Sequence, residues 1–574
     1  MKLIFRQYLA SLRERNELDV VLPDLLSELG FTVISRPTVG TRQYGVDVAA
    51  VGKDNNGKRK LYLFSIKQGD LTRADWDGNP QALRSSINDI LDVYIPTRVA
   101  QVYEKLDIVI CLCFGGDIHE AVRDNVTLFT KSLTTSRISF EEWNGDYLAG
   151  LLSKGILREQ LIGKELRTSF QKAVAMVDEP EISFNHFSTL IKKLCSVNSD
   201  TTRKKITIIR QVYICLWVMF VWARDSGNLE SSYRSSELSI LHVWKLICNE
   251  IGKKTKQSEE ISLAFSELVN LYSIIWDELI GEKILPYVNS KHAISVAINS
   301  SAIADVNLKL FEILGRISMR GLWILWSGGA SLEPKVSSGI NIDKANELAE
   351  KIILLIRNNP MLMSPITDEQ SIDISTALLF LTMLPDWRQG AGNYVESLIQ
   401  RIIFAFRTHS IYPSISSEYR ELIEHPREQD NDYRESQTKA STLIPLLSLW
   451  ASSLNLSEMA EYLTEFCKES LKHCNMQFWL PGPDTEDKIY SGDIYHGSSL
   501  HHMLITSDGE NAFSILKKEC SGKTAFSQLS AIRDEHWQIL ILACRHYRLP
   551  LPPNLWLHVL EDCRACNRGD NNVV

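Results

Sequence analysis

No apolar run in the 574-residue chain is long enough to cross a bilayer. The longest, Val212 to Ala223, is 12 residues, against the roughly 20 that a spanning helix needs. Arg210 and Gln211 stop its extension towards Ile206, so it reads as a buried helix. The N-terminus offers only Leu3-Ile4-Phe5 before Arg6, too little for a signal peptide. A soluble, cytoplasmic protein with no membrane partner is expected. The 11 cysteines form no even, regularly spaced framework, which argues against a disulfide scaffold. An excess of positive charge is also missing: the formal net charge is -8, so constitutive coating of nucleic acid is excluded, although a local basic groove is not.

Three familiar binding motifs are incomplete. Ser521-Gly522-Lys523-Thr524 ends like a phosphate-binding loop, but Lys517 stands where that loop requires glycine. Cys563 and Cys566 make one CxxC with no second pair at zinc-finger spacing. His496, His501 and His502 sit in a Gly/Ser-rich stretch that reads as a solvated loop. No repeat period survives counting, and no segment is of low complexity.

What is present divides in two. Residues 1 to 160 alternate strand and helix patterns. A helical stripe over Glu14–Leu29 is interrupted by Pro23 and closed by Gly30. Three β-rich runs follow: Phe31–Ser35, Val46–Val51 and Leu61–Ile66, the last two joined by a loop with Asn-Gly turn chemistry. Pro80–Leu91 reads as a helix, Lys105–Phe114 as a strand buried on both faces, then Ile118–Lys131, Ile138–Phe140 and Tyr147–Ser153 as helix, strand and helix. The expected class is an α/β domain of order α-β-β-β-α-β-α-β-α around a mixed sheet. Beyond it the periodic segments are helical and hold 11 of the 13 tryptophans. An all-α remainder is expected, read as helical domains over 161–330 and 331–574 or as one continuous domain.

Chemistry concentrates in Gly45-Val46-Asp47 and Phe64-Ser65-Ile66-Lys67. An acid at the start of one strand and a lysine at the end of its hairpin partner fall at the same end of a sheet. Asp47 is suited to a hard cation such as Mg²⁺ or Mn²⁺, which takes carboxylate oxygens and keeps several waters. Lys67 is suited to the charge that develops on a phosphorus centre under attack by water. Lys53, Arg59, Arg73 and Arg84, with Lys58 and Lys60, are candidates for phosphate contacts.

These residues, with the element order, resemble the PD-(D/E)xK nuclease superfamily, the restriction-endonuclease-like fold, and within it the Mrr-type and Holliday-junction-resolvase-like branches. The resemblance covers residues 1 to about 160. It implies a further acid on the preceding helix: Asp19, eleven positions before Gly30, or alternatively Glu17. It also implies metal ligation by Asp47, Asp19 and the Ile66 backbone carbonyl. Ser65 departs from the pattern, because the family carries Glu or Gln there, and a metal site of reduced affinity is expected.

The implied activity is Mg²⁺-dependent endonucleolytic hydrolysis of phosphodiesters, with DNA favoured over RNA. The architecture looks like that of prokaryotic restriction or anti-phage effectors, an analogy of architecture and not of site. With no motor motif in the chain, any ATP dependence would need a separate NTPase or sensor subunit. Residues 1–160 carry 20 Lys and Arg against 21 Asp and Glu. Charge alone therefore gives this region little pull on DNA, and a homo-oligomer assembled by the helical region is expected to present the substrate. The competing reading is a helical scaffold whose degenerate nuclease fold binds nucleic acid without cutting it.

Overall fold

Local chemistry sets the N-terminal elements. A computed structural model describes residues 2–568 apart from 13–17, 36–42, 55, 156–163, 197–200, 331–341, 417, 425–429, 522 and 523. The chain opens with α1 (Lys2–Ser11) and α2 (Asp19–Glu28), the latter accommodating Pro23, and Gly30 follows with φ +87°. Strands β1 (Thr32–Ser35), β2 (Val48–Lys53) and β3 (Arg59–Lys67) follow. At the β2–β3 tip the Asp54 carboxylate accepts the N–H groups of Asn56 and Lys58 at 2.9 and 2.8 Å, and Gly57 supplies the left-handed φ of +78°. That turn fixes the register Lys53 opposite Arg59 and Val48 opposite Phe64. In strands of period two, a slip of one residue would move every side chain to the wrong face.

Short helices α3 (Arg73–Asp77), α4 (Leu83–Asp89) and α5 (Ile95–Arg98) lead to β4 (Asp107–Phe114), α6 (Glu120–Leu133), β5 (Ile138–Trp143) and α7 (Gly145–Gly155). Helix α3 starts on a capping box in which Thr72 and Asp75 satisfy each other's N–H groups. The five strands form one mixed sheet in the order β1-β2-β3-β4-β5, antiparallel as far as β3 and parallel from β3 to β5. Strand β4 lies between β3 and β5 and is apolar from Ile108 to Phe114 because both its faces are covered. One face, with Leu61, Leu63, Ile110 and Leu112, packs against Trp76, Leu83, Ile87 and Val126 from α3, α4 and α6. The other carries an aromatic layer in which Phe31 meets Tyr62 at 5.1 Å and Phe64 meets Trp143 at 4.8 Å.

The chain forms two compact units. The first comprises Met1–Ser239 with Thr255–Ile275, the second Ile240–Lys254 with Trp276–Val574. The expected boundaries at 160 and 330 follow composition; these units follow packing. Besides the sheet, the first unit holds α8 (Lys164–Ala175), α9 (Pro180–Cys195) and α10 (Thr202–Ser226). Helix α10 contains the apolar run, extends it to 25 residues, and stops at Gly227 with φ +82°. Among the described residues it is the one helix long and apolar enough to cross a membrane, and 83% of its apolar window is buried inside the protein.

The second unit is mainly helical, including Ile303–Ser327, Ser371–Met383 and Arg388–Arg407. Two features differ from expectation. Ala525–Arg548, whose apolar periodicity reads as one long helix, is instead three short helices, Ala525–Gln528, Ser530–Arg533 and Trp537–His546, because Leu529 leaves the helical range and Glu535 takes φ +60°. Two small ladders also pair Ala440–Ser441 with Asn475–Met476 and Phe478–Leu480 with Ser498–Leu500. Buried Asp373 joins Arg548 at 2.9 Å, and its carboxyl is pushed up to about 6 by burial in spite of that partner.

Trp76 is fully buried and stands edge-on to Phe129 at 5.4 Å. Trp76→Ala is expected to remove about 3–5 kcal/mol from the first unit. Urea unfolding followed by circular dichroism should show an earlier transition; an unchanged midpoint would mean the helical layer does not depend on this side chain.

Candidate functional site at the ends of β2, β3 and β4

The turn Tyr44-Gly45 delivers Asp47 to the sheet. Both residues are left-handed, at φ +48° and +80°, and a Cβ on Gly45 would lie 2.1 Å from the Ser86 carbonyl oxygen of α4. Only glycine fits beneath that helix. The Asp47 N–H donates to the Phe64 carbonyl at 2.9 Å, and its Oδ2 accepts the Ile66 N–H at 2.7 Å. The carboxylate of one strand thus caps the backbone of its partner one residue before Lys67, the last residue of β3. Asp47 and Lys67 are both half-buried, and Ser65 between them in the pattern is 2% exposed. The two principal candidates therefore meet at one sheet edge.

The same edge holds a feature with no counterpart in the sequence analysis. Strands β3 and β4 end in step, Lys67 opposite Phe114, and both run into a Gly-Asp pair, Gly69-Asp70 and Gly116-Asp117. The Gly116 N–H donates to the Gly69 carbonyl at 2.8 Å, and the Asp117 N–H to Asp70 Oδ1 at 2.8 Å. Arg6 of α1 pairs with the Asp117 carboxylate, and His119 Nε2 lies 4.0 Å from Asp70 Oδ2. Ligands of open α/β sheets bind outside the carboxyl ends of parallel strands, which is where these groups stand. The repeated Gly-Asp after each strand was the available signal. Arg6, far off in sequence, gave none.

Beneath this edge, β4 presents Cys111 and Cys113. Burial pushes the Cys113 thiol well above its ordinary range, and the Asp47 charge adds to the shift. Cys111 is raised by burial and then by Glu141. Glu141 accepts the Trp143 Nε1–H at 2.9 Å and sits among the rings of the aromatic layer.

The remaining candidates lie on several elements. Asp19 is the first residue of α2, half-buried, where the helix dipole favours an acid; Glu17 lies outside the described residues. Lys53 and Arg59 face one another at the hairpin tip, six strand residues or about 20 Å from Asp47. Lys58 and Lys60 there are bound to Asp107 and Asp54 at 2.6 and 3.0 Å. Arg84 rests over the Phe129 ring at 5.1 Å with Asp77 3.9 Å away. Arg73, exposed at the start of α3, is the candidate cation on the segment that leaves β3.

Among the described residues, no three His, Cys, Asp or Glu side chains converge as a metal-binding group. His496 is buried against Trp479, its ring 5.5 Å away, and His501 meets the Asn475 amide at 3.0 Å. Cys566 accepts a bond from Arg388 at 3.7 Å. Gly522 and Lys523 lie outside the described residues.

The bond from Ile66 separates two roles of Asp47. Asp47→Asn keeps an acceptor oxygen and should leave stability within about 1 kcal/mol, whereas Asp47→Ala strands a buried N–H and should cost about 1–3 kcal/mol. Thermal unfolding of the two variants checks this; equal losses would contradict the assigned bond.

No family model matches the chain, and no curated protein or solved structure matches it.

Proposed function

We propose that the N-terminal α/β region is a metal-dependent nuclease that hydrolyses phosphodiesters, with DNA as its substrate. The observation that carries the reading is the Asp47 carboxylate held 2.7 Å from the Ile66 N–H, one residue before Lys67 at the end of β3. That bond holds an acid against the backbone of β3 immediately before Lys67, two residue types suited to metal-assisted attack of water at phosphorus. A divalent cation bound there would lower the pKa of a coordinated water and neutralise phosphate charge. Mg²⁺ is compatible with a sparse donor set, because it keeps several waters and takes one or two carboxylates. Asp47 and the Ile66 carbonyl would hold it, with Asp19 as the further acid. Lys67 would hold the attacking water or the charge developing on the phosphoryl oxygens, and Arg73 would contact a neighbouring phosphate.

Around this core we place a cytoplasmic effector of prokaryotic anti-phage defence or restriction, assembled as a homo-oligomer through its helical region. Any ATP requirement would be met by a separate NTPase or sensor subunit. One observation favours a second reading. Buried Ser65 occupies the position of the family's second acid, and no three-ligand group converges among the described residues, as a fold that binds nucleic acid without cutting it would have.

Cleavage of plasmid, linear and single-stranded DNA and of RNA by the full chain, with Mg²⁺ or Mn²⁺, separates the two. Lys67→Ala should reduce cleavage by about 100-fold or more while leaving the fold intact. Binding without cleavage under every metal condition, or a Lys67→Ala variant as active as the parent, would favour the scaffold.

A further inference from the structure

The second unit contains a cationic cup unconnected with the reading above. A cavity of about 330 Å³ is lined by Phe406, Arg407, Asn431, Arg434, Glu435, Ser470 and His473. Three helices, Arg388–Arg407, Asn431–Gln437 and Ser457–Ser470, supply its walls, with His473 just beyond the last. Two guanidinium groups and an imidazole therefore face a single lining carboxylate, Glu435.

Arg434 is held in a way that suits it for a ligand. Its guanidinium stacks on the Phe406 ring at 4.1 Å with Tyr412 at 6.0 Å on its flank. Its Nη2 donates to the Phe406 carbonyl at 2.8 Å, and its Nη1 lies 3.4 Å from His409 Nδ1. Among the described residues no carboxylate pairs with it, so this charge is fixed in place by aromatic faces and a backbone oxygen. Its Nε is buried and Tyr412 takes a further side-chain hydrogen bond, so the donor capacity left for a ligand is on the Nη groups. Arg407 is oriented by the Tyr462 hydroxyl at 3.0 Å and by Glu469 at 3.5 Å. His473 is fixed by Thr438: that hydroxyl donates to the Arg434 carbonyl at 2.7 Å and so accepts from His473 Nε2 at 2.8 Å.

From this geometry we infer that the cup is a binding site for the phosphoryl group of a small phosphomonoester. Planar guanidinium forks match phosphate oxygens in pairs, and stacked, weakly hydrated arginines lose little on giving up water. Arg434, with Arg407 sharing its charge with Glu469, offers paired donors from two sides, and a phosphomonoester brings up to two charges and three oxygens to accept them. The volume sits at the small end of ligand pockets, which suits a phosphate with a compact organic body and not a polymer.

The test is calorimetric titration of the full chain at fixed ionic strength with inorganic phosphate, glycerol phosphate, a nucleoside monophosphate, acetate and a short DNA oligomer. Saturable 1:1 binding of phosphate and the monoesters is expected, with acetate at least tenfold weaker. Arg407→Gln, a side chain 45% exposed and safe for folding, and Arg434→Lys, which keeps the charge but loses the fork, should each weaken phosphate binding at least tenfold. The absence of saturable phosphate or monoester binding, acetate as tight as phosphate, or unchanged affinity in Arg407→Gln would overturn the assignment. So would DNA bound more tightly than the nucleoside monophosphate and released by the same substitutions.

Discussion

The bond from the Ile66 N–H to the Asp47 carboxylate is the constraint on which the N-terminal site depends. It requires the β2–β3 hairpin to close in one register, and that register comes from the Asp54 turn at the opposite end of the ladder. It also requires Gly45, because no other residue fits under the Ser86 carbonyl with a left-handed backbone. Once these are met, Lys67 follows in sequence, and the parallel pairing of β3 with β4 brings the two Gly-Asp loops together. A tight turn at each end of one hairpin thus positions an acid, a lysine and the carboxyl edge of the sheet.

Much of this was legible in the chain. The alternating runs of β2 and β3, the Asn-Gly loop and the doubly apolar β4 are signals that periodicity reads well, because burial on one or both faces leaves a pattern in the residues. Asp47 and Lys67 were legible for the same reason, their distance from the turn fixing their end of the sheet. The basic hairpin residues show the limit. Lys53 and Arg59 are close to Asp47 in sequence, but a strand carries them away from it, and Lys58 and Lys60 are occupied by Asp107 and Asp54. Arg6 was illegible because its partner Asp117 is 111 residues away. The break at Glu535 was missed because no glycine or proline marks it; an ordinary residue takes the left-handed turn.

The helical remainder follows another logic. An apolar 25-residue helix such as α10 is stable because neighbours cover it, and 83% of its apolar window is buried. Within the second unit, burial is used for charge as well, as in the Asp373–Arg548 pair, where Asp373 also lies so close to Gly315 that a Cβ there would be 2.1 Å from its Oδ1. Asp373 is buried while Arg548 is 36% exposed, so removing the arginine would strand a buried carboxylate, a strongly destabilising change.

The central claim is that the β2–β3 edge holds a divalent cation through Asp47, and direct measurement of metal binding tests it without reference to any substrate. Titration of the full chain with Mn²⁺, followed by electron paramagnetic resonance of the free ion, should show a saturable site. In Asp47→Asn that site should weaken at least tenfold while the unfolding curve stays close to that of the parent. A site of equal affinity in the variant, or no saturable Mn²⁺ binding in the parent chain, would contradict it.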